Sequence, residues 1–105
     1  MTTLLIYDIT NDGRRAKAAD VCKDFGLSRI QYSAFLGDIS HARQGELAQK
    51  LRRCLGETDA RVHLFPLCER DLRLTRVLSH GKLAAEPAPG LLALALAHTP
   101  GERGT

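Results

Sequence analysis

The 105-residue chain has no tryptophan, one methionine, two tyrosines and three phenylalanines. So few aromatic side chains argue against a single-strand nucleic-acid binder built on a row of stacking rings. The longest apolar run covers residues 91–97, whereas a helix that spans a bilayer needs about 20 apolar residues. We therefore expect no membrane-spanning segment and no membrane partner.

Cysteine and histidine are too few and too scattered for a structural zinc site. The three cysteines form no CxxC pair, and the four histidines form no HxxxH motif. Each cysteine lies within an apolar pattern, which is typical of a small core residue. The first residues show no signal-peptide pattern, and with an odd number of cysteines this predicts a reduced, cytoplasmic protein.

Positive charge is modest in amount but unusual in composition. The net charge is +3, and the cations are mostly arginine, whose planar fork grips a phosphate at two points where lysine offers a point charge. A GC-rich genome also favours arginine over lysine, so composition alone leaves both explanations open. The length fits one compact domain.

Apolar periodicity predicts an alternation of strands and helices. Asn11 or Asp12 is expected to cap the first helix and Ser40 the second, and Gly26 and Gly56 to end them. The predicted strands cover residues 3–9, 28–36 and 61–67, with weaker ones at 37–39 and 72–78, and the predicted helices cover residues 13–25 and 41–55.

This order predicts an α+β fold of ferredoxin-like βαββαβ type over residues 1–81. Both helices then cover one face of an antiparallel sheet, and the other face is left to solvent or to a partner. On the second strand, Gln31, Ser33 and Phe35 are expected to share a face that suits a dimer interface.

Residues 82–105 differ from the rest of the chain. An Ala/Pro linker leads into alternating leucines and alanines at 91–97, a period that fits a strand, although leucine and alanine also favour helices. Such a strand would add to a sheet edge of its own chain or of a partner. A disordered tail is the other interpretation.

The end of the first strand carries the chemistry. Asp8 stands where the apolar strand should continue, and Arg14 and Arg15 open the following helix, where backbone N–H groups already favour anions. A carboxylate is a ligand for Mg²⁺, and arginines hold a nucleic-acid backbone without reading its sequence. Arg29 is a third candidate for phosphate contact. Alternatively, Asp8 only ends the strand and the arginines are solvated.

Two motifs together resemble the CRISPR-associated protein 2 family, which comprises small ferredoxin-like proteins. The first motif is Tyr7-Asp8-Ile9 with Arg14-Arg15 following, and the second is the run from Arg29 to Phe35, which reads RIQYSAF. Gly26 and the segment 59–68 extend the resemblance, which covers residues 1–81.

The resemblance implies a homodimer packed through its sheets. It also implies association with the CRISPR integrase, which inserts spacers carried as duplex DNA. Many members are described as magnesium-dependent endoribonucleases that cut single-stranded RNA, and some as deoxyribonucleases. The metal-binding, catalytic aspartate of the family falls on Asp8.

Two functions stay open at this point, and two further classes are disfavoured. One is a nuclease that uses Asp8, and the other is a structural adaptor that binds duplex DNA with no chemistry of its own. An RNA recognition module shares the order of elements, but residues 37–39 lack the aromatic signature that its third strand needs. A small-molecule regulatory domain would leave the arginines unexplained.

Overall fold

A computed structural model describes residues 1–85. It contains four strands, three α-helices and a final 3₁₀-helix. In chain order these are β1 Thr2–Ile9, α1 Asp12–Asp24, β2 Ser28–Gln31, β3 Ala34–Asp38, α2 His41–Leu55, β4 Ala60–Leu67, α3 Glu69–Arg73 and the 3₁₀-helix Gly81–Ala85.

The four strands form one antiparallel sheet in the order β2-β3-β1-β4. The strands β1 and β3 are central, and the two other strands are edges. This is the predicted ferredoxin-like α+β fold, and it is confirmed.

One face of the sheet packs against α1 and α2. Leu5, Tyr7 and Ile9 alternate along β1 and are buried beneath the helices, where Leu47 and Leu51 of α2 belong to the same core. The intervening side chains of β1 point to the opposite face, since successive residues of a strand alternate. We call this opposite side the open face.

The predicted helix ends are confirmed. Asn11 caps α1 by accepting a hydrogen bond from the Arg14 amide at 2.9 Å, and Ser40 caps α2 by accepting one from the Arg43 amide at 3.1 Å. Gly26 and Gly56, just past the two helices, have positive φ angles of 89° and 56°, which favour glycine.

The predicted second strand is wrong in its bounds. Residues 28–36 do not form one strand but a hairpin, in which Tyr32 and Ser33 make a two-residue turn between β2 and β3. Because no non-glycine residue within 1–85 has a positive φ, the turn needs no glycine or asparagine. The alternating pattern of side chains therefore continues through the turn, and no residue type marks where the strand ends.

The strand predicted at residues 72–78 is also wrong. Residues 69–73 form the short helix α3 instead, and 74–80 are in neither helix nor strand. The strand predicted at 91–97 lies outside the described residues. Within those residues, no helix is long and apolar enough to cross a bilayer.

Candidate metal and nucleic-acid site

The predicted site residues gather at one end of the sheet, where β1 ends, the β2–β3 turn lies and α1 begins. We call this end the rim. The Tyr7 amide donates a hydrogen bond to the Ser33 carbonyl at 3.0 Å, so the turn is fixed against the last part of β1. Asp8 follows directly on that strand.

Asp8 lies on the open face at the rim with its side chain exposed. Its neighbour across the sheet is Arg61, the second residue of β4. Within residues 1–85 no hydrogen bond or ion pair occupies the Asp8 carboxylate. Its oxygens are accessible to a cation or a water.

Arg15 is held at the rim by three contacts. Its guanidinium donates to the Ile9 carbonyl at 2.8 Å, forms an ion pair with Asp12, and lies 5.6 Å from the centre of the Tyr32 ring. Desolvation disfavours the charged guanidinium, but the Tyr32 hydroxyl and the Asp12 carboxylate outweigh it and raise the pKa of Arg15. Arg15 therefore remains a fixed positive charge.

Arg14 links two helices. Its guanidinium donates to the Cys54 carbonyl at 2.8 Å, in the last turn of α2. A carbonyl there has no partner within its own helix, and a cation also suits the negative end of the helix dipole. Arg14 thus has a structural contact in addition to its predicted role with phosphate.

Arg29 reaches the rim from β2 and contacts two aromatic rings. Its guanidinium carbon lies 5.1 Å from the centre of the Phe35 ring and 5.8 Å from that of Tyr32. Within residues 1–85 it makes no hydrogen bond or ion pair. Its N–H donors are therefore available to a ligand.

Phe35 does not take the position expected of it. The side chain is 0% exposed, lies in the core and packs on Tyr7 with ring centres 5.8 Å apart. Its assignment to a dimer interface is corrected to a core role, because it offers no surface to a partner. Gln31 is exposed and Ser33 is half-buried, so their interface role stays a prediction.

The open face carries apolar surface in its middle. Ile6 is 40% exposed and Phe65 on β4 is 43% exposed, and His63 stacks on Phe65 at 5.9 Å. Leu4 lies across from Phe65 and Ile6 across from His63. Large apolar side chains that cluster in this way on a sheet are typical of an interaction surface.

The fit of Mg²⁺ to this site depends on Asp8. Within residues 1–85 no three side chains of His, Cys, Asp or Glu come together as a metal cluster. Mg²⁺ nevertheless binds through one or two carboxylates when waters and a phosphate supply its other ligands. The accessible carboxylate of Asp8 fits that mode of binding, with the rest of the ligand set coming from outside this chain.

Sequence reasoning missed Tyr32 and Arg61 as members of the rim. Tyr32 was placed within a strand, and only recognition of the turn would have shown its exposed position. Arg61 becomes the neighbour of Asp8 through the register of β1 and β4, which links residues more than 50 positions apart. No local pattern carries that information.

Comparison with known proteins agrees with the fold. The family described as CRISPR associated protein Cas2 matches residues 1–74. The chain is 46% identical over 78 residues to CRISPR-associated endoribonuclease Cas2 of Desulforudis audaxviator, which covers 74% of each chain. It is 41% identical over 88 residues to the Korarchaeum cryptofilum protein of the same name, covering 83% of this chain and 94% of the other.

Two further matches bear on partners and on architecture. A Cas1/Cas2 endonuclease fusion of Thermoproteus tenax is 38% identical over 72 residues, covering 69% of this chain and 27% of the fusion. The crystal structure of Streptococcus pyogenes Cas2 matches with a TM-score of 0.65 at 23% identity, covering 75% of this chain and all of the other. At that identity the structural match supports the fold alone.

Proposed function

The chain belongs to the CRISPR-associated Cas2 family, and we propose that it is a metal-dependent endonuclease of CRISPR adaptation that works as a homodimer. The names of its relatives support a nuclease that acts on RNA. The observation that carries the proposal is the exposed Asp8 carboxylate, which has no partner within residues 1–85 and shares the rim with Arg15 and Arg29.

Asp8 would hold Mg²⁺ beside a phosphodiester. When bound, the ion polarises the phosphoryl oxygen and lowers the pKa of a water. Asp8 supplies the negative charge that keeps the cation at the rim. No histidine lies in the β1 or β2–β3 motifs, so Asp8 would also accept a proton from the attacking water.

Arg15 and Arg29 would orient the strand by its phosphates. Arg15 is fixed by the Ile9 carbonyl and Asp12, while Arg29 has unused N–H donors. Arg14 would add charge at the same end of α1. These contacts fix the position of a backbone without reading its bases.

The open face is the proposed homodimer interface. Exposed Ile6 and Phe65 provide the apolar centre, and Gln31 and Ser33 lie towards one end of the same sheet. Pairing the open faces by two-fold symmetry gives an assembly with two copies of Asp8, one from each protomer. Each copy then offers a carboxylate for metal binding.

A second candidate function is an adaptor without catalysis that binds duplex DNA and the CRISPR integrase. The cross-strand neighbour of Asp8 is the cation Arg61, and a positive charge beside the carboxylate competes with a metal. The Cas1/Cas2 fusion of Thermoproteus tenax supports an integrase partner. Both functions use the same arginines and differ in their need for Asp8.

The experiment that separates them compares wild type with Asp8→Asn. Cleavage of single-stranded RNA and of duplex DNA is measured with Mg²⁺ and with EDTA, and binding is measured in parallel. We expect Asp8→Asn to lower cleavage to the level seen in EDTA and to leave binding intact. Asp20→Asn, an exposed carboxylate on α1, is the matched control and should cleave as wild type does.

The opposite result identifies an adaptor. If neither wild type nor Asp8→Asn cleaves, and both bind duplex DNA with an affinity that falls steeply with salt, catalysis through Asp8 is rejected. Analytical ultracentrifugation of Phe65→Glu tests the interface, because a buried charge there should convert the homodimer to monomer.

A further inference from the structure

Tyr32 is the most exposed aromatic side chain of this protein, at 67%. It lies at the tip of the β2–β3 hairpin, and the Ser33 carbonyl next to it accepts from the Tyr7 amide. The turn is therefore anchored to β1 at the residue before Asp8. The nuclease chemistry at Asp8 does not use this ring.

The surroundings of Tyr32 are cationic. The Arg15 guanidinium carbon lies 5.6 Å from the ring centre and that of Arg29 lies 5.8 Å from it, on two different elements of the fold. Arg15 is fixed by the Ile9 carbonyl, and Arg29 is steadied by the Phe35 ring at 5.1 Å. The ring thus lies near two positive charges that are each held by other contacts.

These arginines do not cover the ring. A guanidinium stacked directly on an aromatic face occurs elsewhere in this chain, where Arg43 lies 4.2 Å from the centre of the Phe25 ring. Both arginines near Tyr32 are more than 1 Å farther from its centre, and two thirds of the residue stays exposed. Flat apolar surface is left for a ligand.

A ligand for this site needs a flat ring and negative charge, which a nucleotide combines. In a blunt duplex the bases already stack on each other, so only an unpaired nucleotide offers a free face. We infer that Tyr32 stacks on one unpaired base of an RNA or DNA strand while Arg15 and Arg29 bind its flanking phosphates. The inference rests on the proposed function and adds the substrate feature recognised beside Asp8.

A single ring per protomer is a local contact and differs from a stacking track. It agrees with the small number of aromatics in the chain, because it needs one base only. A base held at Tyr32 places the adjoining phosphates near the rim. Strands with an unpaired nucleotide there are then preferred over continuous duplex.

The test measures binding in EDTA, so that cleavage through Asp8 plays no part. The ligands are a blunt duplex, the same duplex with a short single-stranded end, and a single strand, each as RNA and as DNA. A 2-aminopurine in the unpaired segment reports stacking as loss of fluorescence. Tyr32→Leu and Tyr32→Phe test the ring, and Arg29→Gln tests one of the neighbouring cations. Arg43→Gln is the matched control, because Arg43 lies on a different ring, that of Phe25.

We expect Tyr32→Leu to weaken binding of the ligands with unpaired bases by about tenfold, the lower part of the range for one stacked base. Blunt duplex binding should change by less than about twofold, since it does not use the ring. Tyr32→Phe keeps the ring and should retain both affinity and quenching. Arg29→Gln should weaken all ligands and lower the salt dependence, and Arg43→Gln should not.

Five results would overturn the inference. If Tyr32→Leu weakens blunt duplex and unpaired ligands equally, the ring only positions the arginines. Unchanged 2-aminopurine quenching in Tyr32→Leu excludes stacking, and a loss in Tyr32→Phe equal to that in Tyr32→Leu assigns the contact to the hydroxyl. If wild type binds no strand at all, both this inference and the proposed nucleic-acid function are rejected. If wild type and all Tyr32 variants bind equally well, only the inference about Tyr32 is rejected.

Discussion

Among the glycines within residues 1–85, Gly37 in β3 is the one where an added methyl group should disturb the fold most directly. A Cβ there would lie 2.4 Å from Cδ2 of Leu27, 2.9 Å from Cα of Leu27 and 3.0 Å from the Gly26 carbonyl oxygen. The Leu27 side chain has other rotamers, but the two backbone atoms cannot rotate away. Gly37→Ala therefore has to separate β3 from the segment that follows α1.

The expected cost follows from this geometry. Overfilling a packed core costs about 1–3 kcal/mol, and the alanine regains about 0.4–1 kcal/mol by restricting the unfolded chain. The net loss in the free energy of unfolding is then about 1–2 kcal/mol. For a domain of this size, each kcal/mol lowers Tm by about 4–8 °C.

Gly45 provides a matched control. It lies exposed within α2 with no atom within 4 Å of the Cβ that an alanine would add. Gly45→Ala should stabilise the protein by about 0.5–1 kcal/mol, because alanine favours the helix more than glycine does. Equilibrium denaturation in urea measures both variants. Shifts of the same sign in both would refute the close approach of β3 to Leu27.

Other predictions concern buried groups and a helix end. The Tyr7 hydroxyl is buried without a partner within residues 1–85, so Tyr7→Phe should raise the free energy of unfolding by about 1 kcal/mol; a loss would reveal a partner. Burial raises the pKa of Cys22 to about 12 from an ordinary 9.0, so iodoacetamide at pH 8 should label the exposed Cys68 and spare Cys22, unlike in an unfolded chain. The stability due to the protonated Cys22 is fully present below pH 9 and is lost as the pH rises towards 12, so Cys22→Ala should flatten the pH dependence of unfolding above pH 9. Arg14→Gln should lower the free energy of unfolding by about 1 kcal/mol, since the Cys54 carbonyl loses its donor, and an unchanged urea midpoint would contradict this.

Local patterns predicted the parts of the fold that depend on local physics. The bounds of α2 and the caps at Asn11 and Ser40 follow from periodicity and side-chain capping, which act within a few residues. The turn at Tyr32 was not predicted, because its residues have negative φ angles and include no glycine or asparagine. Phe35 was assigned to the wrong face for the same reason, since an unrecognised turn changes which side chains share a face.

The sequence predicted Asp8, Arg14, Arg15 and Arg29 as members of the candidate site, but not how they lie relative to one another. Asp8, Arg14 and Arg15 lie within one short segment, so the sequence already joins them. The contacts of Arg14 with Cys54 and of Arg29 with Tyr32 depend on the packing of α2 and of the hairpin, and the position of Arg61 opposite Asp8 depends on the β1–β4 register. These are tertiary features that no local spacing encodes.

The three arginines at the rim differ in how firmly the fold uses them. Arg14 and Arg15 each donate to a backbone carbonyl at the end of an element, so replacing either removes a structural hydrogen bond together with a positive charge. Within residues 1–85 the Arg29 side chain makes no hydrogen bond or ion pair with the rest of the fold and lies beside two aromatic rings. A loss of nucleic-acid binding in Arg29→Gln therefore reports the ligand contact itself. The same loss in Arg14 or Arg15 variants is informative only at equal folded fraction.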